Sequence, residues 1–211
     1  MPRIRSSRIV LSLPLSLTLA LSQLAIADTL LTVDASAPVP APVTGTIKTG
    51  SAIAPGGHVL GINNQYLTRD GQPWLPVMGE FHYTRSPAAS WAGELAKMKS
   101  AGIDVVASYV IWSHHEETEG HFDWRGNRDL RRFVQLAHQA GLEVVVRIGP
   151  WAHAEVRYGG IPDWVVETMP TRGNDPQYLR YATRFYQEIG RQLDGLLWKQ
   201  GGPVIGAQIE N

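Results

Sequence analysis

The sequence predicts an α/β fold built on a parallel sheet. From residue 74 onward, four short apolar segments alternate strictly with amphipathic helical segments, the pattern of repeated βα units. The apolar segments are rich in β-branched residues and almost uninterrupted, as is typical of parallel strands that are covered on both faces. No Gly-x-Gly-x-x-Gly follows the first strand and no P-loop pattern occurs, so a barrel is favoured over a dinucleotide-binding or phosphate-loop fold.

Each helix of this pattern has recognisable ends. The first is predicted to begin at Ser86-Pro87, an N-cap followed by proline at the first helical position, and to end at Gly102. The second carries an apolar stripe from Leu130 to Ala137 and ends at Gly141, and the third begins at Asp175-Pro176. The predicted strands cover residues 74–78, 103–110, 142–148 and 204–209.

The N-terminal residues predict export. Three arginines precede an uncharged apolar stretch, and Ala25-Ile26-Ala27 provides a small-x-small cleavage site, so residues 1–27 are predicted to be a signal peptide rather than a membrane anchor. A periplasmic or extracellular location follows. Residues 28–57, rich in Pro, Ala and Gly, are predicted to be a linker, and the folded domain is expected over 58–211. It should open with a β-hairpin whose tight turn is Asp70-Gly71.

The amino-acid composition limits the classes of partner that can be expected. The 19 basic and 19 acidic residues are scattered and balance, which disfavours nucleic acid as a partner. The absence of cysteine excludes thiol chemistry, and seven Trp and seven Tyr suit stacking on sugars as well as ordinary core packing. No membrane partner is expected once the signal is cleaved, and the oligomeric state is left open.

Polar and aromatic side chains follow the predicted strands. The carboxyl ends of parallel strands meet at one rim, which is where barrels place their chemistry. Carboxylates there suit glycosidic hydrolysis, which needs one acid and a second group that attacks or activates water. The residues alone leave the pair open, since each of the four rim glutamates also has a structural reading as an ion-pair partner. The rim set is Glu80, His82, Tyr83, Tyr109, Trp112, His114, His115, Glu116, Arg147, Trp151, His153, Glu155, Gln208, Glu210 and Asn211.

A metal site at His114-His115-Glu116-Glu117 is disfavoured. Adjacent side chains on an extended chain diverge, and the His-Glu-x-x-His spacing of zinc proteases is not met because Glu119 stands where the second His would be. We therefore expect neither a metal nor a cofactor.

Several motifs together resemble glycoside hydrolase family 35, the β-galactosidase family, from about Trp74 to the end of the sequence. Any one of them would be weak evidence, but their number and order make a chance likeness improbable. They are Gly79-Glu80-Phe81-His82-Tyr83-x-Arg85, Lys97-Met98-Lys99-x-Ala101-Gly102, Tyr109-Val110-x-Trp112-x-x-His115-Glu116, Arg147-x-Gly149-Pro150 with Ala154-Glu155, Gly159-Gly160-x-Pro162-x-Trp164, and Gly201-Gly202-Pro203-Val204-Ile205-x-x-Gln208-Ile209-Glu210-Asn211.

The resemblance implies a retaining exo-β-galactosidase whose catalytic domain is a (β/α)8 barrel. The sequence would cover its N-terminal half, about four βα units ending after strand four. The acid/base glutamate is expected directly after Asn211 and the nucleophile further on, so none of the 211 residues is assigned a catalytic role. Expressed residues 28–211 should then show no turnover of an aryl β-galactoside.

The resemblance also names sugar-binding positions for a carbohydrate substrate. They are Tyr109, Ala154, Glu155 and Asn211, with Glu155 binding sugar hydroxyls and Asn211 donating to the 2-hydroxyl. Further residues are expected to line the site: Glu80, His82, Tyr83, Trp112 and Trp151.

The sequence departs from the family pattern at the rim. Ile111 and Ser113 replace the usual Pro and Asn, Trp151-Ala152-His153 replaces Tyr-Ile-Cys, and Val156 stands where Trp is usual. Changed rim aromatics alter stacking platforms without altering the reaction type. The identity of the sugar is therefore open, and the same family acting on another β-linked sugar such as glucosamine is one alternative. A non-catalytic sugar-binding fragment is a second, separate alternative.

Overall fold

The computed structural model describes residues 34, 36 and 38–211. The predicted signal peptide lies outside these residues. The chain divides into two units, Met1–Pro40 and Ala41–Asn211, and every strand and helix of the described residues belongs to the second. None of the helices in the described part is long and apolar enough to cross a membrane.

The second unit opens with a three-stranded antiparallel sheet of strands β1 (Leu60–Ile62), β2 (Leu67–Arg69) and β3 (Gln72–Trp74) in that order. The predicted turn is confirmed, since Asp70 and Gly71 have φ angles of 52° and 77° and join β2 to β3. The hairpin extends further than the sequence predicted. Trp74 is the last residue of β3, where it pairs with Leu67 of β2, and it does not begin the first strand of the parallel sheet.

Residues 41–57, the second half of the predicted linker, make specific contacts with this unit. The Val43 amide donates to Asn64 Oδ1 at 2.7 Å, and Trp198 Nε1 donates to the carbonyl of Ala52 at 2.8 Å. The division of the chain at residue 57 stays a prediction.

The main sheet has four parallel strands: β4 (Met78–Glu80), β5 (Val105–Tyr109), β6 (Glu143–Gly149) and β7 (Val204–Ile209). The predicted α/β class and parallel sheet are confirmed. Neighbours in space are neighbours in sequence, in the order β4-β5-β6-β7. The register places Tyr109 beside Arg147 and Arg147 beside Gln208, so three side chains share one row near the carboxyl ends.

Five helices accompany the strands: α1 (Trp91–Ser100), α2 (Trp112–His115), α3 (Leu130–Gln139), α4 (Asp163–Val166) and α5 (Pro176–Leu193). The cap of α5 is confirmed, because Asp175 accepts hydrogen bonds from two amides of the first turn. The start of α1 was predicted too early, since residues 88–90 form a turn before it. The single-turn helices α2 and α4 lie within loops and were not predicted.

The core lies between the sheet and the three long helices. Val106, Val144 and Val146 alternate along their strands and share one buried cluster with Phe133 of α3 and Phe185 of α5. The predicted stripe of α3 is confirmed, since Leu130, Phe133, Val134 and Ala137 are all buried. Alternation sends the intervening side chains of β5 and β6, including Tyr109 and Arg147, to the other face of the sheet.

Candidate active site

Arg147 is the centre of a polar cluster at the carboxyl ends of the four parallel strands. Its Nε donates to Gln208 Oε1 at 3.0 Å, its Nη2 donates to Asn211 Oδ1 at 2.8 Å, and its Nη1 donates to Glu80 Oε1. Its guanidinium carbon lies 3.7 Å from the ring centroid of Tyr109. Thus β4 supplies Glu80, β5 supplies Tyr109, β6 supplies Arg147 and β7 supplies Gln208, while Asn211 lies two residues after β7. We call these five residues the rim cluster.

Tyr109 lies beneath this guanidinium with its ring buried. Its hydroxyl is also buried and makes no well-aligned hydrogen bond to the described residues. Burial raises the pKa of Tyr109, and the Glu155 carboxylate raises it further, against an opposing effect of the His153 backbone. The ring of His82 packs 5.3 Å from that of Tyr109. The phenol therefore stays protonated and remains able to donate to a ligand.

His82 stands beside Glu80, with 3.9 Å between its Nε2 and Glu80 Oε2. Burial lowers the pKa of His82, and the nearby Arg85 lowers it further, although Glu155 opposes the shift. The imidazole is therefore neutral near pH 7. Its Nδ1 is buried and has no partner among the described residues.

The loop after β6 forms one wall of the rim. Ala154 is buried with Tyr109, Ile111 and Ala152, while its carbonyl and that of Glu155 accept hydrogen bonds from Arg85. Glu155 has a positive φ of 45°, which places its side chain at the exposed side of the loop.

Left-handed backbone is concentrated at this rim. Among the described residues other than glycine, five have positive φ, and four of them lie in the rim loops or at the end of β7: Glu155, Tyr158, Arg172 and Glu210. The fifth, Asp70, belongs to the hairpin turn. Such conformations cost about 1 kcal/mol or more for residues with a side chain and cluster at functional sites. Four of these five strained positions therefore lie at the rim.

A second guanidinium joins the loop after β6 to the end of β7. Arg172 donates to Glu210 Oε2 and to the carbonyl of Asn211, both at 3.1 Å. Its guanidinium carbon lies 4.4 Å from the ring centroid of Trp151. Trp151 Nε1 and Glu210 Oε1 are buried without a partner among the described residues.

Two of the residues expected to line the site do not reach it. Tyr83 is fully buried, stacks on Phe133 at 5.2 Å and bonds His115 Nε2 at 2.6 Å. Trp112 is also fully buried and stacks on Phe185 at 5.1 Å. Both predictions are wrong because these residues follow their strands by a few positions, and the chain there has already turned back into the core between sheet and helices.

Glu116, one of the four glutamates expected at the rim, is buried as well. Its carboxylate accepts from Trp112 Nε1 and the Gly120 amide, both at 2.7 Å, and from Arg184. The adjacent His115 is held between Tyr83 and the carbonyl of Asp123, 3.0 Å from its Nδ1. These side chains are saturated by protein partners. Within residues 34, 36 and 38–211, no three His, Asp or Glu side chains are grouped so that they could hold a metal.

The sequence analysis placed Arg147 and Gln208 at the rim but gave them no role, and Arg85 and Arg172 were missed as site residues. Pairing of Arg147 with Tyr109 and Gln208 depends on strand register, for which the sequence offered only the alternation of side chains. The contacts of Arg85 and Arg172 depend on loops that follow other strands. No local sequence pattern predicts these contacts.

The rim combines aromatic faces with open hydrogen-bonding groups. Buried polar atoms normally have partners, so a group of unpaired ones indicates a site for a polar ligand. At the rim the unpaired atoms are His82 Nδ1, Tyr109 OH, Trp151 Nε1 and Glu210 Oε1. Donors and acceptors of both kinds beside aromatic rings suit a ligand with many hydroxyls.

Comparison with solved structures shows what the fold is similar to. The fold is similar to that of the exo-β-1,4-mannosidase from Opitutaceae bacterium strain TAV5, with a TM-score of 0.55 and 17% identity, over 78% of this chain and 28% of that one. It is also similar to the β-galactosidase from the psychrophilic Marinomonas ef1, with a TM-score of 0.51 and 20% identity, over 65% of this chain and 22% of that one. At such identities the likeness shows the fold alone, that of barrel glycoside hydrolases.

Sequence comparison gives the family. The profile of the glycosyl hydrolases family 35 matches residues 66–211, and the chain belongs to that family. It is 39% identical over 150 residues to the β-galactosidase of Bos taurus, an alignment that covers 70% of this chain and 23% of that protein. The chain spans about a quarter of the length of the curated relatives it matches. The resemblance found in the motifs is thereby confirmed.

Proposed function

We propose that this chain contributes the sugar-binding side of the active site of a retaining exo-β-galactosidase, which removes terminal β-linked galactose from oligosaccharides or polysaccharides. The observation that carries the proposal is the rim cluster. It joins Tyr109 and Asn211, two residues that the family resemblance assigns to sugar binding, through a single guanidinium.

The proposal includes the architecture. The four parallel strands are taken as the first four of a (β/α)8 barrel, supported by their sequential order without a crossover and by the likeness to barrel glycoside hydrolases. An open doubly wound sheet would reverse its strand order at a switch point. None occurs among β4 to β7.

Within this site we assign roles by chemistry. Asn211 and Tyr109 donate to sugar hydroxyls, Glu155 accepts from them, and Trp151 offers an aromatic face. The acid/base glutamate is assigned to the position directly after Asn211 and the nucleophile to a later strand, as the family resemblance implies. Two carboxyl groups about 5 to 5.5 Å apart would then support a covalent glycosyl-enzyme and retention of configuration.

The test uses the intact protein that the gene encodes, with aryl β-glycosides of galactose, glucose, glucosamine, mannose and fucose. We expect hydrolysis with a preference for galactose. Proton NMR should show that the β-anomer of the sugar is released first. Hydrolysis with inversion would overturn the mechanism. A preference for glucosamine would support the second candidate, which the Trp151-Ala152-His153 departure at the rim leaves open. Binding of galactose without turnover would indicate a sugar-binding protein.

We also propose that residues 1–27 direct export and that cleavage occurs after Ala27. This proposal rests on the charged, apolar and small-x-small pattern of these residues. N-terminal sequencing of the protein recovered from the periplasm or medium should begin at Asp28. Recovery only from the cytoplasm, with Met1 retained, would contradict it.

A further inference from the structure

We propose that Arg147 and Gln208 are positioning residues that orient the carboxamide of Asn211 so that its Nδ2 group faces the sugar. The inference deepens the proposed function and rests on it. It concerns hydrogen-bond polarity, which the contacts of these side chains determine.

The guanidinium of Arg147 has hydrogen-bond donors only. Gln208 presents an atom at 3.0 Å to Arg147 Nε, and only the carbonyl oxygen of an amide can accept there. Gln208 must therefore turn its Nε2 group the other way. That group donates to Asn211 Oδ1 at 2.5 Å and to the carbonyl of Glu210 at 3.1 Å.

The same reasoning fixes Asn211. Its side chain meets two donors, Arg147 Nη2 at 2.8 Å and Gln208 Nε2, so the atom between them is the oxygen. A flipped amide would set its own N–H groups against both donors. The Nδ2 group of Asn211 makes no hydrogen bond to the described residues, which leaves it as a donor for a ligand oxygen.

Arg147 is itself held in place. Glu80 binds its Nη1, Tyr109 covers one face, and only 17% of its side chain is exposed. Burial lowers the pKa of Arg147, but a guanidinium stays charged in proteins. The fixed, charged guanidinium of Arg147 thus sets which end of the Gln208 amide and which end of the Asn211 amide accepts a hydrogen bond, and so leaves the Asn211 Nδ2 group facing the sugar site.

The consequence is kinetic. A hydrogen bond to the sugar 2-hydroxyl strengthens in the transition state of glycoside hydrolysis, so loss of the orientation lowers kcat more than it raises KM. Because the effect passes through one hydroxyl, it should vanish on a substrate that lacks that hydroxyl.

The decisive variant is Gln208→Glu in the intact protein. The new carboxylate keeps the bond to Arg147 Nε but can no longer donate to Asn211 Oδ1 and repels it instead, so Asn211 turns away and its Nδ2 no longer faces the sugar. We expect kcat/KM on an aryl β-galactoside to fall about 100-fold, the size seen when one transition-state donor is removed. On the aryl 2-deoxy-β-galactoside the fall should be less than about threefold.

Three further variants complete the test. Asn211→Ala should reproduce the selective loss, Arg147→Met should do so in part, and Arg125→Met removes an exposed arginine away from the rim and should leave both rates unchanged. Thermal unfolding of each variant identifies any that fails to fold. If Arg147→Met fails to fold, Gln208→Glu still tests the proposal.

The outcomes separate the two proposals. Equal losses on both substrates, or a fully active Gln208→Glu variant, would overturn the positioning role while the glycosidase function stands. Failure of the wild-type protein to cleave the galactoside would overturn both.

Discussion

Two of the arginine–glutamate pairs among the described residues, Arg184–Glu116 and Arg147–Glu80, differ in what surrounds them. In the buried cluster, Glu116 is 0% exposed and its carboxylate is saturated by Arg184, Trp112 and Gly120. In the rim cluster, Arg147 binds Glu80 at the edge of solvent, beside the unpaired Tyr109 hydroxyl. The same ion-pair chemistry thus occurs at Glu116, whose carboxylate oxygens both have protein partners, and at the rim, where polar atoms beside the ion pair have none among the described residues.

The largest expected effect is on the buried cluster. Glu116→Leu leaves the charge of Arg184 and the N–H groups of Trp112 and Gly120 without their acceptor, and should lower the free energy of unfolding by about 3 to 5 kcal/mol. Denaturant unfolding measures this change in the free energy of unfolding. Glu117→Leu is the matched control, since that glutamate is exposed and 4.0 Å from Arg128, and should change stability by less than about 0.5 kcal/mol. Equal effects at both positions would remove the distinction between the clusters.

The rim cluster should behave in the opposite way. On the proposed function, Asn211→Ala removes a donor to the sugar but no core contact, so kcat should fall about 10²-fold to 10³-fold while the free energy of unfolding changes by less than about 1 kcal/mol. Initial rates with an aryl β-galactoside and denaturant unfolding give the two numbers. Asn64→Ala, an exposed amide bonded to the Val43 backbone, is the control and should keep full activity. A destabilised but fully active Asn211→Ala variant would contradict the comparison.

His115, buried next to Glu116 in the sequence and held by Tyr83 and the Asp123 carbonyl, should set part of the pH dependence of stability. Burial lowers the pKa of His115 to about 4, against an ordinary value near 6.5. Because the unfolded chain binds a proton that the folded chain excludes, this contribution is present above pH 6.5 and is lost as the pH falls toward 4.

Wild-type protein should therefore lose about 2 kcal/mol between pH 7 and pH 5 that the His115→Gln variant does not lose. Denaturant unfolding at both pH values measures the difference. His121→Gln, at an exposed position, should keep the wild-type pH dependence. Identical pH profiles for wild type and His115→Gln would show that this imidazole does not titrate on unfolding.

The smallest effect concerns the loop that shapes the rim. A Cβ on Gly159, where φ is +61°, would lie 2.2 Å from the Trp151 ring. Gly159→Ala should cost about 1 to 3 kcal/mol and raise KM, because the ring must move. Gly102→Ala has a similar positive φ but open space, so it isolates the backbone cost and should leave KM unchanged. Equal KM values in both variants would exclude Trp151 from the sugar site.

Particular elements show how far local pattern reaches. Asp175-Pro176 located the start of α5, the apolar stripe located α3, and Val204 to Ile209 was predicted to the residue. Trp74 was misplaced because an apolar strand residue fits either sheet, and the tight turn four residues earlier decided its partner. Tyr83 and Trp112 were misplaced because a polar-tipped aromatic after a strand is compatible with both the rim and the core.

Sequence alone determined the family, the alternation of strands and helices and the identity of most rim residues, since these depend on local period, caps and motif order. Tertiary structure decided which charged groups are saturated. Glu80, Glu116 and Glu155 cannot be told apart by their sequence positions at or after predicted strands. The packing of α5 places Arg184 on Glu116 and completes the set of partners of that carboxylate, whereas strand register brings Arg147 against the amides of Gln208 and Asn211. Burial and polarity arise from contacts between distant segments, which no local pattern records.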